Sequence, residues 1–278
     1  MSSDTFALRE SSLSIADGIA HFVHRRPEAR NALSLELRAD YAEMVDRIQA
    51  DRDVRALIIS GSGGSFCAGG DLKSLKARQA SGDPELNSPD AMRLRIQKLH
   101  GWLARLRDLE IPVIAAVDGP AYGAGFAIAL LADFVLASER ASFCMSFAKI
   151  GLVPDSAAFY SLPRLVGLQK AKELLFTARR VEAAEALELG LVHSLHKPDE
   201  LETRARDFAL CLRQAPREAI AMSKRLLNRS FETPYDTLAE LESLAQAVAS
   251  TCAYHSQAVD GFLAGQPARF DWDRPADA

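Results

Sequence analysis

Arg55-Ala56-Leu57-Ile58-Ile59-Ser60 runs straight into Gly61-Ser62-Gly63-Gly64-Ser65-Phe66-Cys67-Ala68-Gly69-Gly70-Asp71, and this junction decides the fold. The first stretch is an unbroken β-type run, which predicts a strand buried on both faces. The glycine-dense loop after it invites several readings. A dinucleotide fingerprint G-x-G-x-x-G would need glycine at 66, where Phe66 stands, and the acidic residue expected roughly 20 positions on is not clearly placed. A phosphate-cradling P-loop would end in Gly-Lys-Ser or Gly-Lys-Thr, which is missing. A tight turn is the plain alternative.

The arrangement recurs further on. Pro112 precedes a second apolar run, Val113 to Val117, then a glycine-rich stretch, Gly119 to Gly125, and an apolar segment, Phe126 to Ala132, that reads as a short helix. Two glycine turns after two strands can bring two unencumbered backbone N–H groups to one ligand atom. That is how an oxyanion hole is made. Thioester chemistry at Cα passes through an enolate, and losing one donor to its oxygen costs on the order of 3 kcal/mol. A donor at the start of the second helix adds the positive end of a helix dipole.

Outward from these loops, Leu13 and Ile15, the Asp17-Gly18 turn signal and Ile19 to Val23 predict a hairpin. Leu37, Tyr41, Met44, Val45 and Ile48 follow helical spacing, and Phe134 to Ala137 reads as a third strand. Arg78 to Asp90 is polar and turn-rich, which predicts a surface loop or a flap. From Lys170 helical patterns dominate, ending in one long helix from Leu238 to Phe262.

The 278 residues, 48% hydrophobic, can bury a sizeable core. Net charge is −4 with Lys and Arg dispersed, which argues against a nucleic-acid partner. Met1 to Glu10 has Ser2, Ser3, Asp4 and Thr5 where a signal peptide would need basic residues and an apolar run. No later apolar run approaches the ~20 residues of a membrane span, so the expectation is a cytoplasmic protein. Cys67, Cys144, Cys211 and Cys252 are far apart and form no CxxC pair, so packed thiols are expected. The pairs His21/His24 and His193/His196 sit in β-like segments where HxxH spacing points side chains to opposite faces, so no metal site is expected.

The sequence resembles the crotonase (enoyl-CoA hydratase/isomerase) superfamily from about Leu13 to Phe262. The resemblance rests on Arg26-Pro27-Glu28-Ala29-Arg30-Asn31-Ala32-Leu33-Ser34, on Phe66 to Lys73, on Pro112 to Gly119, on Tyr122-Gly123-Ala124-Gly125 and on Gly151-Leu152-Val153-Pro154-Asp155. It implies an α/β fold, a spiral of ββα turns over residues 1–200 followed by a helical trimerisation region over 201–278, assembled as a homotrimer or homohexamer. It makes the Gly70 and Ala124 amides the oxyanion donors, and Arg30, Ala68, Asp71, Leu72 and Lys73 the contacts for CoA. The adenine would meet the Ala68 carbonyl, and Arg30 and Lys73 the phosphates. No cofactor beyond the CoA of the substrate is implied.

The family pattern breaks at the two glutamates by which hydratases activate water, which align with Ala127 and Phe147. The next candidate base is Asp155, where similar subgroups place a working aspartate, the phenylacetate-pathway isomerases most closely. After Asp155 the family has glycines, whereas this chain has Ser156-Ala157-Ala158-Phe159-Tyr160, so an altered acyl pocket is expected. The resulting expectation is an enoyl-CoA double-bond isomerase with Asp155 as proton shuttle. A hydratase, an idle acyl-CoA-binding member and, more distantly, a nicotinamide oxidoreductase are the alternatives. Without the resemblance, Asp155 after a proline is a turn or cap residue, Asp71 orients its loop, and His100 among leucines is a packed or surface histidine.

Overall fold

A computed structural model of the chain describes residues 4–272. Residues 1–3 and 273–278, which close the N-terminal segment and the helical region read from sequence, lie outside the described residues. β1 (Asp4–Ala7), β2 (Ser11–Ala16) and β3 (Ile19–His24) form an antiparallel meander. The Asp17-Gly18 turn joins the last two with φ of 55° and 73°, the geometry whose twist matches paired strands. α1 (Leu35–Ala50) starts at Ser34, whose Oγ accepts from the Leu37 amide, and buries the helically spaced residues read from sequence.

The chain then winds in repeated turns. Strand β4 (Ala56–Gly61) leads through the first glycine loop into α2 (Leu72–Ala80), α3 (Pro84–Asn87) and α4 (Pro89–Arg107). In the next turn β5 (Val113–Val117) is followed by β6 (Pro120–Tyr122) and α5 (Ala124–Ala129), and in the third β7 (Phe134–Ser138) by β8 (Ser142–Cys144) and α6 (Ala158–Thr177). β9 (Val181–Glu182), α7 (Ala183–Glu188) and β10 (Ser194–His196) precede α8 (Leu201–Arg213), α9 (Arg217–Leu227), α10 (Tyr235–Ser250) and α11 (Ala253–Leu263). The larger sheet has the order β1-β2-β3-β4-β5-β7-β10 and is parallel from β3 onward; β6, β8 and β9 form a small second sheet. The second and third turns each lay one strand in the large sheet and one in the small. The first turn's share of the small sheet is a single bridge between Cys67 and Ala121.

Alternation along the central strands explains their unbroken apolar sequence. Leu57 and Ile59 of β4, with Val113, Ala115 and Val117 of β5, face the main core, while Ala56, Ile58, Ile114 and Ala116 face α8 through Leu201, Ala205, Ala209 and Leu212. The Arg78 to Asp90 stretch is not the loop expected from its composition. Its turn-like residues are helix caps: Asp83 accepts from the Glu85 amide, Ser88 from the Ala91 amide, and a proline follows each cap. The long C-terminal helix expected from sequence is two, broken at Thr251 and Cys252. No helix among the described residues is long and apolar enough to cross a membrane.

His24 couples this core to the first glycine loop. Its Nδ1 lies 2.8 Å from the Phe66 carbonyl and its Nε2 2.7 Å from the Tyr41 hydroxyl. A carbonyl only accepts, so Nδ1 carries the proton and Nε2 accepts from Tyr41. Tyr41 in turn stacks on Trp102 of α4 at 4.5 Å. Burial pushes the His24 imidazole down to about 4. In the unfolded chain it titrates near 6.5. Its contribution to stability is therefore fully present above about pH 6.5 and is lost as the pH falls toward 4, by up to about 3 kcal/mol. Denaturant unfolding at about pH 7 and about pH 4.5 should show a smaller acid loss in His24→Gln than in the wild type; equal losses would refute this role.

Candidate active site

The two glycine loops are locked together at their backbones. Phe66 and Cys67 both donate to the Pro120 carbonyl at 3.1 Å, and Tyr122 donates back to the Cys67 carbonyl at 2.9 Å. Gly69 has φ +97°, and a Cβ there would sit 2.8 Å from the Tyr122 carbonyl; a Cβ on Gly125 would sit 2.2 Å from that of Cys67. Only glycine permits so close an approach. The hypothetical Gly69 Cβ lies 3.6 Å from the Gly123 Cα, so the residues that follow, Gly70 and Ala124, emerge from adjoining backbone. Neither amide takes part in the hydrogen bonds that tie these loops among the described residues. Ala124 opens α5, whose first N–H groups have no acceptor within the helix.

The remaining motif residues hold this arrangement in place. Buried Asn31 donates from Nδ2 to the carbonyls of Ser62 (2.9 Å) and Ser65 (2.6 Å) and accepts from the Arg26 amide (2.9 Å). Sequence reasoning quoted Asn31 without finding this role. Arg26 reaches Asp71 at 2.7 Å, and Asp71 caps α2 by accepting from Lys73 and Ser74 amides. Burial works against the Asp71 carboxylate, but Arg26 and the two amides hold its pKa below the usual carboxylate range. Arg30 is exposed, with its carbonyl accepting from the Ala68 amide at 3.0 Å, so these two residues are neighbours. Leu72 and Lys73 are exposed on the first turn of α2. His100 is a surface residue of α4. Burial pushes the Cys67 thiol up to about 11, which fits packing rather than nucleophilic service.

Asp155 is half-buried, accepts from the Ser156 hydroxyl at 2.8 Å and acts electrostatically on Arg38 of α1, a residue that sequence reasoning missed. Phe147 approaches the Gly123 turn, its ring edge 3.9 Å from where a Gly123 Cβ would be; Ala127 is fully buried in α5. Ser156 and Ala157 hold φ of +54° and +65°, a left-handed conformation that glycine adopts without strain. That geometry costs roughly 1–2 kcal/mol per non-glycine residue.

A sequence model of the Enoyl-CoA hydratase/isomerase family matches residues 14–271. The chain belongs to this family. Among curated relatives of the enoyl-CoA hydratase/isomerase family, the 1,2-epoxyphenylacetyl-CoA isomerase of Escherichia coli K12 is 32% identical, over 92% of this chain and 96% of its own. The short-chain-enoyl-CoA hydratase of Clostridium acetobutylicum is 34% identical, over 85% and 91%. The crystal structure of an enoyl-CoA hydratase/isomerase from Cupriavidus metallidurans CH34 superposes with TM-score 0.89 at 39% identity, covering 95% of this chain and 97% of that one. The ββα spiral is therefore the crotonase fold.

Proposed function

We propose that this family member is a cytoplasmic enoyl-CoA isomerase that moves a C=C bond through a thioester enolate. The amides of Gly70 and Ala124 hold the enolate oxygen, and Asp155 carries the proton. The carboxylate takes a proton from C2 of a 3-enoyl thioester, the electron pair spreads onto the thioester oxygen, and the same carboxyl group, which exchanges its proton with solvent, returns a proton at C4 to give the 2-enoyl product. The observation that supports this most is the contact of Gly69 with Gly123, which leaves two adjacent amides unengaged, together with Ala127 and Phe147 at the positions where hydratases use glutamate. Neither Ala127 nor Phe147 can transfer a proton to or from water. The Escherichia coli relative is also named an isomerase of an acyl-CoA, though of an epoxide rather than of a C=C bond. The hydratase name of the Clostridium relative marks the competing reading.

For the CoA moiety, the Ala68 carbonyl would accept from the adenine amino group, and Arg30 and Lys73 would meet the phosphates, with Asp71 and Leu72 bordering them. The reaction as written needs no other cofactor. Offered 3-enoyl-CoA, the enzyme should produce the conjugated 2-enoyl absorbance; loss of that absorbance from 2-enoyl-CoA, with no gain from 3-enoyl-CoA, would transfer the assignment to hydration.

We also propose that the chain assembles as a homotrimer or a pair of trimers. α10 and α11 contain no buried residue, and Leu244, Val248, Phe262 and Leu263 on them are largely exposed, an apolar surface that a further copy would cover. A monomer mass by equilibrium sedimentation would remove this proposal.

A further inference from the structure

Three arginines from three helices lie within electrostatic reach of one another, and Arg38 in turn lies within reach of Asp155. On α1, Arg38 precedes Tyr41 by three residues, and on α4 Arg95 precedes Trp102 by seven, so the Tyr41–Trp102 stack fixes the two helix faces that carry these arginines. Arg78 is drawn in from the end of α2, where Asn87 donates to the Arg78 carbonyl at 3.0 Å and Arg95 donates to the Leu86 carbonyl at 2.5 Å. The Nε of each of the three guanidiniums is buried with no hydrogen-bond partner among the described residues. The charges acting on Arg38 are one carboxylate, Asp155, and the two other arginines; Arg78 is acted on by Arg95. Partly buried cations facing each other with one acid among them are costly unless an anion joins them.

We infer that Arg38, Arg78 and Arg95 receive a carboxylate at the far end of the acyl chain, so that the substrate is the monothioester of a dicarboxylic acid. This deepens the acyl-CoA reading and rests on it. The guanidinium fork matches a carboxylate bidentately. The competing anion is a phosphate of CoA, but Arg38, at the centre of the cluster, shares its field with Asp155, the group proposed to act on the acyl carbons. Lys73, proposed for the phosphates, is five residues before Arg78 on α2 and therefore about 140° away around the helix.

The test is equilibrium binding, which needs no turnover. Saturated ω-carboxyacyl-CoA thioesters, glutaryl-CoA to suberyl-CoA, are compared by calorimetry with the neutral acyl-CoA of the same length and with CoA itself. At one or more lengths the carboxylated ligand should bind about 30-fold or more tightly than its neutral counterpart. That ratio should collapse toward one in Arg38→Met and in Arg78→Met, each confirmed folded by its melting temperature. A wild-type ratio near one at every length overturns the inference. So does a loss of affinity for CoA alone as large as that for the carboxylated thioester, which would assign the cluster to the cofactor's phosphates. Failure of every thioester and of CoA to bind would remove the acyl-CoA reading and the inference together.

Discussion

Asp155→Asn is expected to lower the rate of double-bond migration by about 10³-fold, the scale of a lost general acid-base group. The substitution is isosteric, and its carbonyl can still accept from the Ser156 hydroxyl that now holds Oδ1 at 2.8 Å. It removes the proton acceptor and little else, so the affinity for a saturated acyl-CoA should stay within about 3-fold of wild type and the loss should fall on kcat. A shuttle also predicts that removal and return of the proton fail together. A variant that still exchanges the Cα proton but no longer moves the bond would point to a second base.

Gly125→Ala is expected to cost about 3 kcal/mol or more in stability and to lower turnover by about 10²–10³-fold in whatever fraction folds. The added methyl would lie 2.2 Å from the Cys67 carbonyl oxygen and 2.7 Å from the Cys67 Cβ, and these belong to backbone and a buried stem rather than to a movable side-chain end. Relief requires the two glycine loops to part, which separates the Gly70 and Ala124 amides. Gly70→Ala is the contrast: its Cβ meets nothing within 4 Å, so that variant should unfold within about 0.5 kcal/mol of wild type. Urea unfolding of both variants, followed by turnover of the folded protein, separates the cases. Equal stabilities would show that the loops do not depend on the close approach at Gly125.

The parts of the fold legible in the sequence are those whose local signal and tertiary role agree. Val113 to Val117 reads as a strand because α8 and the main core cover both of its faces, and Asp17-Gly18 reads as a turn because its left-handed geometry suits those residues. Two strand-loop-helix turns of the spiral were visible through their glycines. The third was not, since β8 has only Ser142–Cys144 and lacks a period to detect. Asp83 and Ser88 were misread because a cap and a turn favour the same side chains.

At the candidate site, the strand-to-glycine transition that occurs twice suggested two neighbouring backbone amides, and it was the family resemblance that pointed to Gly70 and Ala124. Asn31 was visible as part of a motif, but its purpose lies in carbonyls at Ser62 and Ser65 that no local pattern connects to it. The arginine cluster was invisible for a similar reason. Arg38, Arg78 and Arg95 are ordinary helical cations in sequence, and only the packing of α1, α2 and α4 brings them together, with Asp155 acting on Arg38.

The measurement that bears most directly on the enolate account is turnover of 3-enoyl-CoA in deuterated water by wild type and Asp155→Asn, followed by mass and absorbance. The account predicts bond migration with exchange of the Cα hydrogen in the wild type and neither in the variant; addition of water that persists in the variant would contradict it.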